Sequence, residues 1–120
     1  MIEKTCRHVV DQRPWGSYEI LHRGADFQVK RIEVSPRARL SLQKHLKRSE
    51  KWTVVSGKGL ATVNDKEIPV ERGSLVEIPL GTVHRMANTG AEPLIFIEVQ
   101  FGDYIEEDDI IRLADDYRRV

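Results

Sequence analysis

The sequence predicts an all-β fold, a sandwich or barrel of short antiparallel strands followed by a C-terminal helix. Three observations carry this. Apolar and polar residues alternate with period two in short runs, and Gly, Pro, Asn and Asp break those runs at close intervals. Only the last stretch, from Glu106 onward, spaces its apolar residues as a helix would. Seven or more strands with turns at such spacing fit a sandwich or barrel.

The elements follow in order. Phe27 to Val34 alternates and ends at Ser35-Pro36, and Leu40 to His45 alternates into the polar stretch Leu46-Lys-Arg-Ser49. Trp52 to Val55 is rich in β-formers and closes at Gly57 and Gly59. Leu60 to Val63 reaches a turn at Asn64-Asp65, beyond which Ile68 to Val70 resumes. Leu75 to Ile78 stops at Pro79-Leu-Gly81, Val83 to Ala87 gives way to Asn88-Thr-Gly90, and Leu94 to Phe101 stops at Gly102. From Glu106 to Arg119, Ile110, Ile111, Leu113, Ala114 and Tyr117 follow helical spacing. Acids lead this stretch and Arg118 and Arg119 close it, as a helix dipole favours.

With 120 residues the chain is read as one domain, its core at about 13–102 and its helix at about 106–119. Basic and acidic residues balance at 19 each, so the overall charge gives no reason to expect nucleic acid or an anionic membrane as partner. Cys6 is the single cysteine, which excludes an internal disulfide and a thiolate zinc cluster. No apolar stretch approaches the length of a membrane span and no secretory signal opens the sequence, so a cytoplasmic location is expected.

Strand alternation places Ser41, Gln43 and His45 on one face, and Glu50, Trp52 and Val54 on one face of the next strand. A Pro79-Leu-Gly81 turn delivers His84. Gln, His and Glu are nitrogen and oxygen ligands for divalent transition metals. A lone strand histidine is ordinarily structural, so spacing decides. Gln43-x-His45, four residues, Glu50, six residues, Gly57 resembles the first cupin motif. Gly73, five residues, Pro79-x-Gly81, two residues, His84, three residues, Asn88 resembles the second without a gap.

The resemblance narrows further. Arg13-Pro-Trp-Gly-Ser-Tyr-Glu19, Phe27-Gln-Val-Lys-Arg-Ile32, Leu40-Ser-Leu-Gln-Lys-His45 and Arg48-Ser-Glu-Lys-Trp52 are similar to type II phosphomannose isomerases. Ile78-Pro-Leu-Gly-Thr-Val-His-Arg85, Ile97-Glu-Val-Gln100 and Glu107-Asp-Asp-Ile110 continue the likeness. In many members this cupin is joined to a mannose-1-phosphate guanylyltransferase. No glycine-rich nucleotide-binding segment occurs in these 120 residues, so that second activity is not expected of them. Gln43 stands where other cupins carry a first histidine, as in the isomerases. Arg37 stands where the superfamily has a glycine, a position that favours backbone geometry only glycine adopts freely.

The resemblance implies a single cupin domain, a jelly-roll barrel, with one divalent metal on Gln43, His45, Glu50 and His84. Zinc is expected, with manganese, iron and nickel as alternatives. It implies isomerisation of mannose 6-phosphate to fructose 6-phosphate, in which a pocket base moves a proton between adjacent carbons. Candidate catalytic residues are Arg48, Glu98 and Lys30, and Arg13, Arg48, Ser41 and Gln100 are candidates for holding the sugar phosphate. Arg48 and then Arg13 are the first choices for the phosphate. A metal-containing cupin that only binds a sugar phosphate, or a cupin enzyme of another class, is the alternative. Ile95, Ile97, Val99 and Phe101, apolar on the face opposite Glu98, need a cover that a second sheet or a partner subunit would supply, and a homodimer is expected.

Overall fold

The structure, a computed structural model, describes residues 9–117, so Cys6 and the Arg118-Arg119 pair lie outside the described residues. Eleven strands occur in it: β1 (Val10–Arg13), β2 (Gly16–Arg23), β3 (Phe27–Val34), β4 (Leu42–Lys44), β5 (Ser49–Ser56), β6 (Lys58–Val63), β7 (Lys66–Glu71), β8 (Leu75–Ile78), β9 (His84–Asn88), β10 (Leu94–Phe101) and β11 (Ile111–Ala114). They form two antiparallel sheets, one in the order β1-β2-β3-β10-β5-β8 and the other β11-β4-β9-β6-β7. The sheets share no strand, so the architecture is an open two-sheet sandwich rather than the closed barrel expected.

Alternation decides which face each residue takes. In β10, Leu94, Phe96, Glu98 and Gln100 are buried, and Ile95, Ile97 and Val99 lie half-buried on the outer face. Register then sorts the interior into layers. Phe96 lies beside Ile32 and Val54, Glu98 beside Lys30 and Trp52, and Gln100 beside Gln28 and Glu50. One end of the sandwich is therefore apolar. Its centre is Phe96, fully buried with its ring 5.0 Å from that of Trp52, and truncating it to Ala would cost about 3–5 kcal/mol. The other end is polar and buried, an arrangement that costs free energy unless the groups pair with one another or with a ligand.

The predicted helix over Glu106 to Arg119 does not form, and no helix occurs among the described residues. The acids that lead this stretch find distant partners instead. Glu106 pairs with Arg23, Glu107 with Lys30, and the Asp109 carboxylate accepts the backbone N–H groups of Leu46 and Lys47. Ile111–Ala114 then pairs with β4, covering the edge of a strand only three residues long. Those tertiary bonds outweigh a helical period carried by few residues.

Two backbone positions matter for the site. Gly81 has φ +74°, which a side chain would strain, and its N–H donates to the His45 carbonyl at 2.9 Å. Arg37 takes φ +66°, so an arginine holds the left-handed geometry that glycine adopts freely. No helix of the described residues is long and apolar enough to cross a membrane.

Candidate active site

The polar end opens into a cavity between the sheets. His45, Glu50 and His84 meet there, all buried, with one ligand atom from each lying within 4.8 Å of the others. Glu50 comes from β5 and His84 from the start of β9, and His45 lies just past β4. The Nε2 atoms of His45 and His84 stand 3.3 and 3.9 Å from the two Glu50 oxygens. Both imidazoles turn the opposite nitrogen to a backbone carbonyl, His45 Nδ1 to Asp109 and His84 Nδ1 to Thr82. An Nδ1–H donated to a carbonyl leaves Nε2 with its lone pair facing the cavity, the tautomer a metal ligand requires. Burial holds the His45 pKa down at about 4 despite the attraction of Glu50, so the ring is neutral near pH 7. Gln43 is the direct cross-strand partner of His84, and its amide nitrogen reaches the Ser41 carbonyl at 3.4 Å, which leaves its oxygen as a fourth donor.

These donors fit a divalent cation. Two imidazole nitrogens and a carboxylate converge from two sheets, at separations compatible with metal bonds of about 2.0–2.2 Å, and Gln43 lines the same cavity. Burial alone would raise the pKa of Glu50, but His84, Arg48 and His45 together hold it at about 2. The carboxylate is ionised whenever a metal would be.

Arg48 backs this cluster. Its Nε donates to Glu50 at 2.9 Å and its Nη2 lies 3.1 Å from His45 Nε2, while its buried Nη1 has no partner among the described residues. Trp52 does two things: its Nε1 donates to Glu50 at 2.9 Å, and its ring meets His84 edge-on. Glu98 faces the same cavity, and burial, reinforced by Glu50, pushes its pKa up to about 8.

The structure brings Arg13, Lys30, Ser41, Gln43, His45, Arg48, Glu50, His84 and Glu98 to one cavity. Arg13 lies over the Tyr18 ring, and Lys30 bonds Glu107. Gln100, expected against the sugar, does not line the cavity. It stands behind Glu98, donating to it at 2.6 Å and accepting from Gln28 at 2.9 Å. Three residues were not singled out from sequence: Glu107, Asp109 and Arg112. The signal for the first two was present in the Glu107-Asp-Asp-Ile110 likeness, but their charge was assigned to a helix dipole.

Comparison with known proteins gives the geometry a family. Residues 2–115 match the model described as mannose-6-phosphate isomerase C-terminal. The chain belongs to that family. It is 50% identical over 117 residues to the alginate biosynthesis protein AlgA of Pseudomonas aeruginosa, an alignment covering 98% of this chain and 24% of AlgA. It is also 44% identical over 108 residues to the mannose-1-phosphate guanylyltransferase ManC of Salmonella typhimurium, covering 90% of this chain and 22% of that one. The chain thus spans about a quarter of the length of the curated relatives it matches. Among solved structures, the capsular polysaccharide assembling protein CapF of Staphylococcus aureus superposes with a TM-score of 0.77 at 23% identity, over 90% of this chain and 34% of CapF. A cupin-2 domain protein of Rhodospirillum rubrum gives 0.71 at 19% identity, over 91% and 81%. These likenesses show the cupin fold.

Proposed function

We propose that this domain is a metal-dependent aldose–ketose isomerase that interconverts mannose 6-phosphate and fructose 6-phosphate. The observation that carries it is the placing of a high-pKa carboxyl, Glu98, in the same cavity as the His45–Glu50–His84 cluster. A site that only held a sugar would gain nothing from a carboxyl tuned near neutral pH. Membership of the isomerase family supports the substrate class.

Gln43, His45, Glu50 and His84 would hold the ion, with zinc the first expectation. When bound, it would supply a Lewis acid for the carbonyl end of the open-chain sugar. Glu98 takes the proton from C2 of the aldose and returns it to C1, while the C2 hydroxyl proton passes to O1 to complete the ketose, and a pKa of about 8 suits both directions near neutral pH. Arg48 faces the developing oxyanion through its unpartnered Nη1. Gln100 and Gln28 keep the Glu98 carboxyl oriented. The homodimer expected from the sequence belongs to the same proposal, supported by the half-buried outer Ile95, Ile97 and Val99 and the exposed Phe101.

A coupled assay on metal-replete protein tests this. Turnover of mannose 6-phosphate that disappears with chelator and returns with metal supports the isomerase. Binding of hexose phosphate without turnover, in protein shown to contain metal, overturns it in favour of a sugar-phosphate-binding cupin.

A further inference from the structure

The cavity carries more positive charge than the isomerase steps require. Its walls hold Arg13, Lys30, Arg48, Arg85 and Arg112 against the carboxyls of Glu50, Glu98 and Glu107. Such an excess in a concave, partly dry site favours an anionic ligand.

Four of these cations are already engaged. Arg13 donates to the Gln12 carbonyl and the Tyr18 hydroxyl, Lys30 to Glu107, Arg48 to Glu50, and Arg85 to the carbonyls of Leu40 and Ala114. Arg112 differs. Its Nε is buried without a hydrogen-bond partner, and among the described residues the guanidinium has no ion pair. A buried guanidinium N–H without an acceptor is an expensive arrangement that a bound anion would relieve.

Its position is as telling as its freedom. Arg112 pairs across the sheet with Gln43, and Gln43 pairs with His84, so the three stand in one row. Strands lie about 4.8 Å apart, which puts the Arg112 backbone roughly 10 Å from that of the metal-ligand histidine. The β11–β4 register shifts immediately beyond Arg112, before Ala114, and such irregularities commonly re-aim a side chain. An extended six-carbon chain with its reacting carbons at the His84 end would carry its terminal ester toward Arg112.

We propose that Arg112 is the principal contact of an anion subsite at the β11 edge of the cavity, one that takes the terminal phosphate monoester of the substrate. The sugar part of this assignment rests on the isomerase function proposed above; the anion part does not. It replaces Arg48 and Arg13, the first choices from sequence: Arg48 is ion-paired to Glu50 and its remaining Nη1 is assigned to the oxyanion above, and Arg13 bonds the Gln12 carbonyl and the Tyr18 hydroxyl. A planar guanidinium can grip two phosphate oxygens at once, which an ammonium cannot.

The test uses the metal-loaded chain with Arg112→Gln and Arg112→Lys. Steady-state kinetics are measured for mannose 6-phosphate and for unphosphorylated mannose, and inorganic phosphate binding is followed by NMR titration. Arg112→Gln is expected to raise KM for mannose 6-phosphate and Kd for phosphate by ~10–100-fold, with a far smaller loss of kcat/KM for mannose and Arg112→Lys intermediate. Equal losses on the phosphorylated and unphosphorylated sugars overturn the proposal, as does unaltered phosphate affinity. If the wild-type chain turns over neither sugar, the isomerase function fails while the phosphate titration still decides the subsite: binding lost in Arg112→Gln supports it, and binding retained overturns it.

Discussion

Glu98 and Glu50 stand one register step apart on neighbouring strands, yet their pKa values are displaced in opposite directions. Glu98 is paired with Trp52, and Gln100, two residues along β10, is paired with Glu50. Both carboxyls are buried. Glu50 receives Arg48 and the Trp52 indole N–H, with two imidazoles alongside, and stays ionised with a pKa of about 2. Glu98 receives one amide donor from Gln100, and burial with the neighbouring Glu50 charge lifts it to about 8. On the proposed function, the two like groups would take two roles, Glu50 as ligand and Glu98 as proton carrier.

Replacing the carrier separates chemistry from architecture. Glu98→Gln keeps the shape of the protonated carboxyl and is expected to lower kcat by ~10²–10⁴-fold, with bound metal unchanged in elemental analysis. The same variant alters stability in the metal-free protein. Between pH about 4.5 and 8 the native wild type keeps a proton that the unfolded chain has released, so this group's contribution falls as pH rises. Glu98→Gln removes that loss. Urea unfolding across this window should show the variant gaining on wild type as pH rises toward 8, and parallel curves would contradict the burial of an ionisable Glu98.

A second pH effect has the opposite sign. His45 has an unfolded pKa of 6.5 and a folded pKa of about 4, so between these values the unfolded chain binds a proton that the native chain refuses. Stability of the metal-free protein therefore falls as pH drops from 6.5 to 4, by on the order of 3 kcal/mol. The Glu98→Gln background isolates this slope from the opposing one. Unfolding midpoints that stay level over the interval would show that His45 is not held neutral.

Metal should stabilise the fold and not only activate it. An ion at 100 times its Kd adds about 2.7 kcal/mol, or a Tm rise on the order of 10 °C for a domain of this size. Zinc addition should produce this rise in thermal melts, chelator should reverse it, and His84→Ala should abolish it. A full shift retained in His84→Ala would place the ion elsewhere.

Arg37 offers a test away from the cavity. Its φ of +66° costs an L-residue about 1–2 kcal/mol, partly offset because glycine loses more chain entropy on folding. Arg37→Gly is expected to stabilise by up to about 1 kcal/mol in urea unfolding, with activity unchanged.

Much of this was legible in the residues. Phe27–Val34, Leu75–Ile78 and Leu94–Phe101 were read to the residue, because two-residue alternation and Gly or Pro breaks coincide there. His45, Glu50 and His84 were singled out because their spacing resembles the cupin motifs, and the fold brings the three together. The segment after Gly102 was not. Its acids matched a helix start, and only their partners Arg23, Lys30 and the Leu46–Lys47 backbone, all distant in sequence, reveal them as tethers. Local pattern carries no record of such pairings. The same blindness hid Arg112, whose buried Nε lacks a partner among the described residues.

The bond from His45 to the Asp109 carbonyl spans 64 positions of chain. During synthesis, then, the imidazole leaves the ribosome well before the group that sets its tautomer. A nascent domain can pair its earlier strands, but its cation trap stays unset until the β11 segment has emerged and docked. Any ion held there would meet an oriented His45 only once residue 109 has left the ribosome and docked.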